Sequence, residues 1–139
     1  MGYHVNLTVM FEWDDYESLR PLVLACLPDV RSKGVKAAEW LLTELLDRRG
    51  SLPGPKGGMC TWGMVCNGLD SERFLEVLAP FWFGILGTRN NEFARVLVMA
   101  QGEADVQTTV FEIFREDPND DHSMTVKKHK CPFQMRFAD

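Results

Sequence analysis

Apolar and polar residues alternate without a break from Tyr3 to Trp13. Tyr3, Val5, Leu7, Val9, Phe11 and Trp13 take every second position, and His4, Asn6, Thr8, Met10 and Glu12 stand between them. Side chains of a strand alternate between its faces, so this period predicts a β-strand with one apolar face and one largely wettable face. Such a strand belongs in an antiparallel or mixed sheet covered on one side.

The period then changes. Leu19, Leu22, Val23, Cys26 and Leu27 share one face at helical spacing. Ser18 is the expected cap, Pro21 falls in the first turn, and Pro28 is expected to stop the helix. A second helix is predicted over 35–49, with Ala38, Leu41, Leu42, Leu45 and Leu46 inward and Gly50 at its end. The run 51–58, rich in Pro and Gly, reads as a loop. Residues 59–67 alternate again, with Trp62, Met64 and Cys66 on one face and Thr61, Gly63 and Val65 on the other.

A third helix follows, capped by Asp70 or Ser71, carrying Phe74, Leu75, Val77 and Leu78, and ended or kinked near Pro80. Residues 95–100 and 107–115 read as two strands joined by a turn around Gly102. The first of them is nearly all apolar and is expected in the middle of the sheet, covered on both faces or nearly so. A last strand spans 124–131, and Pro132 forces an edge or a bend before Phe133, Met135 and Phe137. The order strand-helix-helix-strand-helix-strand-strand-strand defines one α+β domain over 1–139, a mainly antiparallel sheet of about five strands with three helices. A ferredoxin-like split arrangement is one topology compatible with that order.

Composition narrows the function classes. The chain of 139 residues is 45% hydrophobic and 25% charged, the balance of an ordinary globular domain. No stretch approaches the roughly 20 apolar residues that cross a bilayer. The opening strand leaves no room for a secretory leader, so a cytoplasmic location is expected. A net charge of −5 argues against a general nucleic-acid binder, which must neutralise phosphates. That charge is uneven: acids crowd residues 103–121, whereas Lys127, Lys128, Lys130 and Arg136 follow. The acidic run either faces a partner or pairs with the basic last strand across the sheet.

Motifs for chemistry fall short of their requirements. Lys56 is followed by Gly57 and Gly58, not by the hydroxyl and helix a phosphate loop needs. His122, His129 and Cys131 lack close zinc-ligand pairing and sit among lysines. Cys66 is the best-placed thiol, with His4 or His129 as conceivable bases, yet no nucleophile motif surrounds it. No cofactor, metal site or catalytic residue is assigned.

The expected function is therefore non-catalytic: a small acidic protein of the inhibitor, immunity or adaptor kind that blocks or regulates a protein partner with a basic surface. Glu116, Asp117, Asp120 and Asp121 are the expected contact residues. The alternative is a small-ligand domain or small enzyme using a pocket near Cys66 and Trp62. The dense apolar run 81–86 is expected either in the core or in a homodimer contact.

Overall fold

The alternation of the first strand decides which side of the sheet is covered. In the computed structural model, which describes residues 4–13, 16–47, 58–87, 95–102, 108–117 and 123–131, strand β1 runs His4–Trp13. Val5, Leu7, Val9, Phe11 and Trp13 are all buried there, whereas His4, Asn6 and Glu12 are exposed. Helices α1 (Tyr16–Lys33) and α2 (Lys36–Asp47) follow, then β2 (Gly58–Asn67), α3 (Ser71–Val77) and α4 (Ala79–Gly87). The chain closes with β3 (Val96–Gly102), β4 (Thr108–Phe114) and β5 (Thr125–Cys131).

The five strands form one sheet in the order β2-β1-β3-β4-β5, and every neighbouring pair is antiparallel. The class is α+β, as the sequence predicts, with four helices in place of three. The extra helix comes from Pro80. The chain breaks at Leu78, and Pro80 takes the second position of α4, where its missing N–H costs nothing. A split ferredoxin-like order is excluded among the described residues, because it requires a parallel pair.

Pro28 does not stop α1, which continues to Lys33. Pro28 and Leu24, whose carbonyl loses its helical N–H partner to the proline, are both exposed, so the gap in the hydrogen-bond ladder falls on the solvent side of the helix. Val30 therefore extends the buried stripe of Leu19, Val23, Cys26 and Leu27 by another turn. Ser18 lies inside α1 rather than capping it; its Oγ accepts a 2.8 Å hydrogen bond from Trp13 Nε1–H. Asp70 caps α3, accepting from the backbone N–H groups of Glu72 and Arg73 at 3.1 and 3.2 Å.

The helices and the inward face of the sheet share one core. An aromatic chain runs through it: Trp62 stacks on Phe74, Phe74 meets Trp82, Trp82 meets Phe81, and Phe81 sets its ring edge-to-face with Phe11. Trp82 Nε1–H donates to the Leu75 carbonyl at 3.1 Å, so this buried indole carries no orphan donor. No polar or charged residue is buried among the described residues. No described helix is long and apolar enough to cross a membrane.

Candidate functional site

On the other side of the sheet, no described residue is buried. Directly opposed residues share a face, so the strand registers lay out two rows across the whole sheet. One reads Gly63, Thr8, Met99, Val110 and His129; the next reads Thr61, Met10, Leu97, Glu112 and Lys127. Met10, Leu97, Met99 and Val110 are half-buried and adjacent, a small apolar centre on an otherwise polar surface. This corrects the expectation for β3. It is the middle strand, but Val96, Val98, Ala100 and Gly102 are buried on one face, while Leu97 and Met99, half-buried, face the other side.

Charges gather beside that centre. The Glu112 carboxylate lies 3.4 Å from Arg95 Nε and 3.6 Å from His129 Nε2. The Arg95 guanidinium sits 4.7 Å from the centre of the Phe114 ring, and Lys127 Nζ sits 5.5 Å from it. Lys127 stands directly opposite Glu112. The basic last strand thus lies beside the strand that carries Glu112, while its Lys128 Nζ reaches Glu72 of α3 at 3.4 Å; exposed ion pairs of this kind are each worth only about 0–1 kcal/mol.

The acidic turn adjoins this network. Glu116 and Asp117 are exposed. Glu116 Oε2 accepts from Thr125 Oγ1 at 3.1 Å, and Thr125 stands opposite Phe114 on the open face, so Glu116 belongs to its rim. The Asp117 N–H donates to Ser123 Oγ, which donates back to the Asp117 carbonyl, both at 3.1 Å. Asp120 and Asp121 lie outside the described residues, as do the Glu103–Asp105 turn and His122.

The residues considered for catalysis are not brought together. Cys66 opposes Val5 on the helix side, whereas His4 opposes Asn67 on the open side. His129 is three strands from β1, roughly 14 Å away at ordinary strand spacing. Burial pushes the Cys66 thiol above its ordinary value of 9.0. Burial, and then the negative charge of Asp29, do the same for Cys26. Raised thiol pKa values oppose the thiolate a nucleophile requires. No group of three metal-ligating side chains occurs among the described residues.

Cys66 does line a cleft of about 510 Å³ between the α1–α2 turn, the end of β2 and the start of α3. Trp40, Val65, Asn67, Asp70 and Arg73 also face it. Trp62 does not: it is buried to 1% exposure against Phe74. In the run 81–86, Phe81, Trp82, Ile85 and Leu86 are buried in the core, and Phe83 and Gly84 are half-buried.

Comparison with known protein families, with curated proteins and with solved structures gave no match. The site must be read from its own chemistry. Reading the sequence for acids singled out Glu116 and Asp117 and passed over the apolar centre. A usable signal existed in β4, where Val110, Glu112 and Phe114 alternate with Phe111 and Ile113. A strand with glutamate on one face cannot pack that face into a dry core, and its neighbour β3 must expose the matching residues.

Proposed function

We propose that this chain is a non-catalytic binding domain of the inhibitor, immunity or adaptor kind, which seats a protein partner on the open face of its sheet. The observation that carries this reading is the adjacency of Met10, Leu97, Met99 and Val110, bordered by Arg95, Glu112, Lys127 and His129. An apolar centre inside a polar rim is the anatomy of a protein interface. Glu116 at the rim and the exposed Asp117 next to it in the chain favour a partner with a basic surface and speed its encounter at low salt.

Changing Glu116 and Asp117 to Ser leaves the fold within about 0.5 kcal/mol of wild type, since both are exposed. Association with a basic partner then slows, most visibly at low ionic strength. Association rates that do not change at low salt contradict the role of the turn.

A small-ligand reading rests on the cleft beside Cys66, whose size falls in the range of ligand pockets. The half-exposed Trp40 indole would stack on an aromatic or apolar ligand there. His4, the base considered for Cys66, lies on the opposite side of the sheet from it, and the titratable side chains that do line the cleft beside Cys66 are Lys36, Asp70 and Arg73.

A further inference from the structure

The cleft beside Cys66 lies where the fold brings two tight turns together. Gly34 turns the chain from α1 into α2 with φ +71°, and Gly68 turns it from β2 towards α3 with φ +61°, both in the left-handed region that favours glycine. Both glycines line the cleft, and a side chain at either would meet nothing within 4 Å.

The charge of this cleft departs from that of the whole chain. The protein carries −5, yet two cations, Lys36 and Arg73, face the cleft with one carboxylate, Asp70. Asp70 Oδ1 is already engaged, accepting from the N–H groups of Glu72 and Arg73 as the cap of α3. Arg73 reaches Glu76 at 3.8 Å, an exposed pair of little strength. Lys36 opens α2, the end at which the helix dipole favours an acid, and it makes no ion pair among the described residues. An anion in the cleft would relieve that misplaced charge.

Trp40 supplies the apolar side. It is 49% exposed, whereas Trp13, Trp62 and Trp82 are buried, and it stands outside the aromatic chain of the core. Four residues after Lys36 on α2, it shares a helix face with that lysine, about 6 Å further along the axis. A ring joined to a phosphate directly or through a short linker spans that separation.

We propose that the cleft binds a small aromatic phosphate monoester, its ring stacked on Trp40 and its phosphate met by Lys36 and Arg73. Two cations match a monoester charge of about −1.5 to −2 at neutral pH, and a guanidinium fits phosphate oxygens in pairs. Flat rings stack on an indole. A volume of about 510 Å³ admits a nucleoside monophosphate or a simple aryl phosphate. This ligand class rests on the small-ligand reading of the cleft, and nothing in it depends on the open face of the sheet.

In the test, wild type is titrated with adenosine monophosphate, phenyl phosphate, adenosine and inorganic phosphate, and binding is followed by calorimetry and by amide NMR. At least one of the two esters should bind about tenfold or more tightly than adenosine and than inorganic phosphate, and which one does so tells a nucleotide from an aryl phosphate. The Trp40 indole N–H and the amides of Lys36, Ala37 and Gly68 should shift. Lys36→Gln, Arg73→Gln and Trp40→Ala, all at exposed positions, should each weaken that ester by about tenfold. Should a variant fail to fold, the wild-type shifts and the loss of affinity with rising salt read the same contacts. Esters that bind no more tightly than adenosine overturn the phosphate assignment and keep the small-ligand reading. Inorganic phosphate binding as tightly as the esters, with Trp40 unmoved, overturns the role of the ring. Shifts confined to residues outside the cleft, or no binding by any of the four, overturn the ligand class and the small-ligand reading together.

Discussion

A methyl group added at Gly84 would come within 2.4 Å of Leu22 Cδ1, so α1 and α4 approach as closely as they do because position 84 has no side chain. Gly84→Val should destabilise the fold by about 1–3 kcal/mol, the usual cost of overpacking. Combining it with Leu22→Ala frees that space, so the double variant should be more stable than the sum of the single losses implies. Strictly additive losses in urea unfolding would show that the two positions do not compete. The buried thiols give a second expectation. Cys26 and Cys66 hold their protons more tightly folded than unfolded, so above pH 9 the native state binds more protons and stability falls as pH rises. Replacing both with Ala should make the decline in urea midpoint between neutral and alkaline pH shallower. An unchanged slope would assign the alkaline loss to other groups.

Elements were legible where one period ran long enough. β1 shows this best: its alternation placed five buried residues correctly and its exposed face as well. Prolines were harder, because a sequence shows that a hydrogen bond is lost but not which way the orphaned carbonyl points. At Pro28 the gap falls on the exposed side of α1, and the helix continues. Pro28→Ala should therefore restore an α1 hydrogen bond and raise stability, by up to about 3 kcal/mol on helix propensity; an unchanged or lower midpoint would mean that the proline fits its site without penalty. At Pro80 the ring begins a helix instead of ending one. Asp70 fits both readings, and Asp70→Ala should cost about 1 kcal/mol as a lost cap, with Asp70→Asn nearly neutral.

At the scale of the molecule, the sheet has one covered face and one open face. Sequence patterns reached the covered face directly, since burial follows the apolar period. The open face was legible only once the registers were known, because Met10, Leu97, Met99 and Val110 come from three strands and no one of them announces the cluster. The acids of residues 116–121 stood out for the opposite reason, being close together in the chain. The central claim, that the open face seats a protein partner, is tested most directly by affinity capture from the native host with three folded baits. These are wild type, Met99→Lys in the apolar centre, and Leu24→Lys on the exposed side of α1. The lysine stem at 99 can lie along the sheet with its charge in water, so the fold is kept while the centre is spoiled. The account predicts one protein recovered by wild type and by Leu24→Lys and lost with Met99→Lys. Equal recovery by all three baits, or a wild-type bait that recovers no protein, would contradict it.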